Sequence, residues 1–505
     1  MRRLGIVELN STEVKLLVVN ELENQSYIVE EKRESKIRIA QDLAVDELIK
    51  QQSIFNVATI LKTYKQYLNS FDVAESFALA SSEYLNAKNQ RSFFDELYST
   101  TGFKFKILSA EEEVSYLYSG FINSLDCPKG LILNINGINS QVLAYNRRNC
   151  LNQMDILDGS VNVANKYLTN QQSPAIAMSE MVKSYSKHFD DVSWFGELDE
   201  ETQIVGTGDA FVSIAKLSRK LRKYPYSKVH AYQFSKEDLD EVYNFVTTLD
   251  VDKTKKLKGI SSQSADVLAS GISMVKAFAE KSRINKFIVS TYGVAEGYAL
   301  TKINPIAQEK PISDVLGLWL ETQNLYYNNS ALKNTQNIYD LSLILFKQLK
   351  VLHKLPRNFV KVLRIASYMH DCGKRISGVE YEKKGLNIVL ESDILGIAHH
   401  EQVLAAFVVA SQNLQDFSMT DWIKYNMMLT EEDLEGVRKL AVIVKLATLL
   451  DSFGAGKVKD ISCDILGDSV IMKTIVDSPA DMEIAEGLKV CPDFAKAFKK
   501  HLEIL

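Results

Sequence analysis

Two stretches far apart in the chain each end a strand on a polar residue. LGIVELNSTEVKLLVV, residues 4–19, places Glu8 at the end of an apolar strand, followed by a polar tip and a second apolar strand. LILNINGINSQVLAY, residues 131–145, repeats the layout with Asn134 in the matching place. A carboxylate at a strand end can hold a divalent cation or an attacking water. An amide offers an oxygen without charge, a poor ligand for hard Mg2+. A third element, VGTGD at 205–209, reads as a strand running into a glycine-containing turn at a helix start. Backbone amides and the positive dipole end suit an anion there, although Asp209 places a carboxylate in the same turn.

Composition limits the other chemistries. The chain has 505 residues, a net charge of −5 and 46% hydrophobic residues, as expected for a globular protein of several domains. Nothing global argues for nucleic acid, so an anionic ligand needs a local basic patch. The five cysteines (Cys127, Cys150, Cys372, Cys463, Cys491) form no CxxC pair and read as reduced thiols. With 7 histidines, any His-based metal site must use a few specific ones. No apolar run approaches the ~18 residues a membrane helix needs, and acids interrupt any leader-like start. The expectation is a cytoplasmic protein. Glycine, at 23 of 505, is below the usual ~7%, low for several phosphate-cradling loops.

The elements that must position these residues alternate. Residues 1–30 read as a meander of strands, 45–69 as a helix, 75–81 as a strand, 90–102 as a helix ending at Gly102, 103–109 as a strand and 110–123 as a helix. Ser109 with Glu112 fits a capping box. After the second hairpin, helices are expected near 158–168, 174–189, 209–223 and 235–246, with strand, turn and helix over 286–300. Alternating strands and helices in two halves indicate an α/β protein with two similar lobes. From about 330 the pattern becomes all-helical. The last fifty residues read as two strands across a Gly-Asp-Ser turn and then a helix. SRKLRKYPYSK, 218–228, reads as a solvated helix end or a track for a polyanion. The Tyr-rich 321–330 reads as a linker.

The duplicated hairpin resembles the way actin-like (ribonuclease-H-like) folds grip phosphate. More specifically, the chain resembles the exopolyphosphatase/guanosine pentaphosphate phosphohydrolase (Ppx/GppA) family over nearly its full length. The residues that carry the resemblance are ILSAEEEVSYLYSG (107–120), GTGD, VHAYQFSKEDLDEV (229–242), SADVLASGISMV (264–275), VSTYGVAEG (289–297), HDCGK (370–374), SDILGIAHHEQ (392–402) and KLATLLD (445–451), in that order. It implies two actin-like lobes over 1–125 and 126–305, a helical HD-type domain over 306–454, a small α+β segment over 455–505, and a homodimer. It also implies Glu113 as general base, Glu8 and Asn134 at the two acid positions, and phosphate contacts from Ser11, Thr12, Lys15, Gly137, Asn139, Gly206, Thr207 and Gly208.

The sequence departs from that pattern. Asn10 stands for a glycine in the first tip. In the second, Asn134 stands for an aspartate, Asn136 and Ile138 for glycines, and Gln141 for a glutamate. Leu85, Ser264 and Ala295 stand where arginines are expected. In the helical part His370, Asp371 and His399 remain, while Asn334, Asn337, Glu382 and Lys384 occupy other ligand positions; a metal is not expected there. Mg2+ in the cleft is expected weakly or not at all. Two readings follow. In one, the protein binds a phosphate-chain anion (inorganic polyphosphate or guanosine tetra- or pentaphosphate) with weak or lost hydrolysis. In the other it is an active exopolyphosphatase. An actin-like sugar or acetate kinase is disfavoured, because the helical part does not belong to those chains.

Overall fold

The computed structural model describes residues 2–147, 149–168, 173–262, 264–265, 267–326, 332–412 and 418–505. Strands β1 (Arg2–Leu9), β2 (Glu13–Glu21), β3 (Tyr27–Lys36), β4 (Glu75–Ala80) and β5 (Phe105–Ile107) form one sheet in the order β3-β2-β1-β4-β5. The first three strands run antiparallel to one another, and β1, β4 and β5 are parallel. Strands β6 (Lys129–Ile135), β7 (Ser140–Asn146), β8 (Asn149–Ile156), β9 (Gln203–Thr207), β10 (Gln233–Ser235) and β11 (Lys286–Val289) form the second, ordered β10-β11-β9-β6-β7-β8. Reading β8-β7-β6-β9-β11 reproduces the first sheet strand for strand, with β10 added antiparallel at the edge.

The central strand β1 is buried on both faces, as a parallel neighbour with covered faces requires. Leu4 and Ile6 join a core shared by both sheets, and Val7 and Leu9 join the core of the first half. The helices of this part are α1 (Ile39–Asp46), α2 (Gln51–Ser70), α3 (Gln90–Thr101), α4 (Ala110–Ile122), α5 (Ser160–Tyr167), α6 (Pro174–Ser186), α7 (Gly208–Leu221), α8 (Lys236–Thr247), α9 (Val251–Lys255), α10 (Leu268–Ser282) and α11 (Val294–Ile303). Helices α4 and α11 contribute to the shared core. They cross so closely that a Cβ on Gly297 would lie 1.8 Å from the Tyr116 carbonyl oxygen.

The expected single helix over 45–69 is two. Helix α1 ends at Glu47 in the left-handed region, and α2 starts at Gln51. The break is held because the Ile49 N–H donates to Asn89 Oδ1 (2.9 Å) and the Lys50 N–H to Asp42 Oδ2 (3.1 Å). The capping box of Ser109 with Glu112 and the left-handed Gly102 cap form as read. Strands β8 and β10 are additions to the sequence reading.

The chain divides into two units, Met1–Val315 and Leu316–Leu505. The second holds helices Leu332–Gln348, Phe359–Met369, Tyr381–Glu391, His399–Ala410 and Glu431–Leu450. A three-stranded sheet of β12 (Val458–Ile465), β13 (Ser469–Val476) and β14 (His501–Ile504) follows; β14 pairs parallel to β13 after two short helices. The sequence reading had the hairpin and one helix but not β14. Of the linker expected over 321–330, residues up to Tyr326 are helical, and 327–330 lie outside the described residues. Among the described residues no helix is long and apolar enough to cross a membrane.

Candidate functional site

The two hairpin tips face one cleft. Its walls include Glu8, Asn10, Glu13, Lys15 and Lys36 from the first half, and Asn134, Asn136, Thr207, Gly208 and Asp209 from the second. Glu113 and Gly293 at two helix starts complete it. The hairpins match position for position. Glu8 pairs with Lys15 across β1–β2, and Asn134 pairs with Gln141 across β6–β7. Each tip closes on one backbone bond, Asn10 N–H to Glu13 O (3.1 Å) and Asn136 N–H to Asn139 O (3.0 Å). A helix start follows each tip: the Ala40 N–H donates to Ser11 O, and the Ser160 and Val161 N–H groups donate to Asn136 O and Gly137 O.

The first tip uses its donors internally. Asn10 Oδ1 accepts from the Thr12 N–H (2.9 Å), the Thr12 hydroxyl (3.1 Å) and the Glu13 N–H (2.7 Å). The Ser11 N–H and hydroxyl donate to Glu83 at 3.1 and 2.8 Å. In the second tip Asn134 Nδ2 donates to Gln141 Oε1 (3.2 Å) and Asn136 Oδ1 (3.3 Å), and Asn136 Nδ2 to Asn139 Oδ1 (3.0 Å). The Gln141 amide nitrogen is buried without a hydrogen-bond partner. The tips abut: a Cβ on Gly137 would lie 2.5 Å from Ser11 Oγ and 2.6 Å from Ala40 Cβ.

The cleft's charges form a chain. Lys15 Nζ lies 2.8 Å from Glu13 and 3.8 Å from Glu8. Lys36 pairs with Glu13 and, at 2.6 Å, with Asp209 across to the other half. Asp209 also accepts from the Ser264 hydroxyl (2.9 Å). Burial pushes the Glu8 carboxyl up to about 7; Lys15 pulls it down, while Glu13, Glu296 and Glu113 add to the rise. Burial would raise Glu13 too, but Lys15 and Lys36 outweigh it and hold that carboxyl well below its usual range. Against the same burial, Glu13 and Glu8 keep Lys15 charged, its pKa well above the ordinary lysine value. Glu8 further accepts from the Ala295 N–H at 3.1 Å, so the position expected to hold an arginine contributes a backbone donor.

Glu113 is buried at the start of α4. Its carboxylate accepts from the Ser81 hydroxyl (3.1 and 3.2 Å), the Ser82 N–H (2.8 Å) and Asn136 Nδ2 (3.5 Å). Leu85 is half exposed. Thr12, Lys15, Thr207 and Gly208 line the cleft; Ser11, Gly137, Asn139 and Gly206 sit behind it in the tips and in β9. A divalent cation does not fit the donors as arranged. The ammonium groups of Lys15 and Lys36 stand between the carboxylates, and among the described residues no three His, Cys, Asp or Glu side chains gather as a metal site.

In the second unit, His370 is buried at the end of its helix with Nδ1 2.9 Å from the Ser367 carbonyl, and burial holds its imidazole below the usual value. Asp371 pairs with Lys374 at 3.6 Å. His399 is buried in the first turn of another helix. Asn334 Oδ1 and Asn337 Nδ2 are buried without partners.

Three contributors escaped the sequence reading. Glu83 sits in a segment singled out only for Leu85, Lys36 lies at the end of a strand read as ending near residue 30, and Glu13 is given no role in the tip. Glu83 meets Ser11 across 72 residues and Lys36 meets Asp209 across 173, beyond any local pattern, and Glu13 joins them through Lys36, 23 residues on.

The chain belongs to the Ppx/GppA phosphatase family, whose model matches residues 17–304; the family's domain III matches residues 328–475. No curated protein sequence matches at a significant level. Among solved structures, a Ppx/GppA family member from Aquifex aeolicus shares 18% identity at a TM-score of 0.51, over 62% of this chain and 99% of its own. An exopolyphosphatase from Cytophaga hutchinsonii shares 14% at 0.56, over 60% and 98%. An exopolyphosphatase-like protein shares 16% at 0.53, over 60% and 97%. These likenesses establish the actin-like sheet-and-helix fold.

Proposed function

We propose that this protein binds a phosphate-chain anion, inorganic polyphosphate or guanosine tetra- or pentaphosphate, in the cleft between two actin-like lobes (1–125 and 126–305), and hydrolyses it weakly or not at all. The observation that carries the reading is the Asn134–Gln141 amide pair, in the register where the other hairpin has Glu8 and Lys15. A neutral pair neither recruits a metal nor activates water. Glu113, the candidate general base, is held by Ser81 and Ser82 and has no lysine or arginine among its hydrogen-bond partners.

Binding asks less of the site. Lys36 and the Gly208 amide at the start of α7 are the contacts for an incoming phosphate, with Lys15 deeper. The ligand competes with Asp209 for Lys36, and Asp209, 38% exposed, is the carboxylate that moves most easily. The same reading takes 306–454 as an HD-type domain that has lost its metal ligands, 455–505 as a small α+β segment, and the protein as a cytoplasmic homodimer. Calorimetry with polyphosphate and with guanosine tetraphosphate, at low and moderate salt, tests it. Binding that weakens in Lys36→Ala and tightens in Asp209→Asn is expected; absent heat for both ligands contradicts it. The second reading, an active exopolyphosphatase, draws on Glu8 and Glu113, two buried carboxylates that still line the cleft.

A further inference from the structure

The turn Ser82–Asn86, between β4 and α3, carries a carboxylate that the function above does not use. Glu83 is 7% exposed and accepts three hydrogen bonds from two different halves of the N-terminal unit. The Ser11 N–H (3.1 Å) and Ser11 hydroxyl (2.8 Å) come from the first tip, and the Ile138 N–H (2.9 Å) from the second. Its own N–H donates to Ser81 Oγ (3.3 Å), and the neighbouring Tyr84 hydroxyl donates to the Asn10 carbonyl (2.9 Å). A like charge that acts on it is Glu113, held through Ser81 and Ser82.

Backbone N–H groups at a loop tip converging on one oxyanion are the geometry by which proteins bind phosphate and carboxylate ligands. Here the oxyanion belongs to the chain. The contact between the tips leaves no room for a second one, since a single Cβ at Gly137 already collides with Ser11.

We propose that Glu83 is an internal oxyanion that takes up the tip donors of both hairpins and staples them together, so that the two halves part at the tips only when it is released. This holds whether or not the cleft binds a phosphate chain. A small free oxyanion such as formate matches the same donors and can enter only where the Glu83 side chain is absent. Burial pushes the Glu83 carboxyl up to about 7 against the pull of the Ser11 and Ile138 donors, and its two oxygens can accept the three bonds in either protonation state.

Hydrogen exchange on the full-length protein tests the staple, read at the peptides that contain Ser11 and Ile138. In Glu83→Ala both amides are expected to lose protection together, by roughly tenfold or more. Sodium formate is expected to restore both, and sodium chloride at equal ionic strength neither. If Glu83→Ala does not fold, the isosteric Glu83→Gln is read at the same peptides: its amide nitrogen cannot accept, so at least one donor is orphaned. Protection unchanged in both peptides, or lost on one side only in Glu83→Ala, would overturn the staple. Joint loss that formate leaves untouched would overturn the oxyanion assignment.

Discussion

The two hairpin tips share a backbone and differ in how their side chains are held. Both close on the same hydrogen bond, both receive a helix start, and both pair the residue at the strand end with a residue on the returning strand. In the first tip that pair is charged, Glu8 with Lys15, and extends through Glu13 and Lys36 to Asp209. In the second it is two amides, with one nitrogen of Gln141 left over. One backbone therefore supports either a charge chain or a neutral pair. The difference teaches that this hairpin register tolerates a charged or a neutral pair at the strand end, which the proposed function reads as a fold kept while one tip's acid is replaced.

The strongest way to break the comparison is to delete the hub of the charged tip. Glu13→Ala leaves Lys15 and Lys36 buried with one carboxylate partner fewer and is expected to cost about 3–5 kcal/mol of stability. Gln141→Leu, in the other tip, is expected to cost less than about 1 kcal/mol, because it removes one neutral bond and an already orphaned nitrogen. Chemical denaturation of both variants checks this; equal losses would erase the distinction.

A second test is pH. The Glu8 and Glu83 carboxyls titrate at about 7 in the folded protein against an ordinary value of 4.5, in each case because burial dominates. The folded state therefore binds these protons more tightly than the unfolded chain does. Stability is highest below about 4.5 as far as these two groups are concerned, and it falls as pH rises toward 7. The expected contribution is a drop in melting temperature of ~3 °C or more between about pH 5 and pH 8, reduced in Glu8→Gln. A melting temperature that rises over that window and is indifferent to Glu8→Gln would contradict the assignment.

The tip loops give a smaller effect than the loss of Glu13. Asn10→Ala frees three donors and is expected to cost about 1–2 kcal/mol. Asn139→Ala, at the position matching Glu13, removes one acceptor and is expected to cost a few tenths of that. A melting series on the two variants measures the ratio.

Much of this was legible in the sequence because it is local. The alternation in residues 4–19 and 131–145, the Ser109–Glu112 box and the Gly102 cap each sit within a few residues and each forms. What was not legible depends on distance. Nothing around Glu83 announces that Ser11 and Ile138 will meet on it, and Lys36 finds Asp209 only once two sheets face each other. Polar strands such as β8 and β10 are held by neighbours in the sheet, so their own composition gave no signal.

The measurement that tests the central claim most directly is phosphate release from inorganic polyphosphate by the purified full-length protein, with Mg2+ and with chelator. The Asn134–Gln141 pair and the tethered lysines predict release no faster with Mg2+ than without it, and no difference between the native protein and Glu113→Gln. Robust Mg2+-dependent turnover that disappears in Glu113→Gln would contradict the account and restore the active exopolyphosphatase.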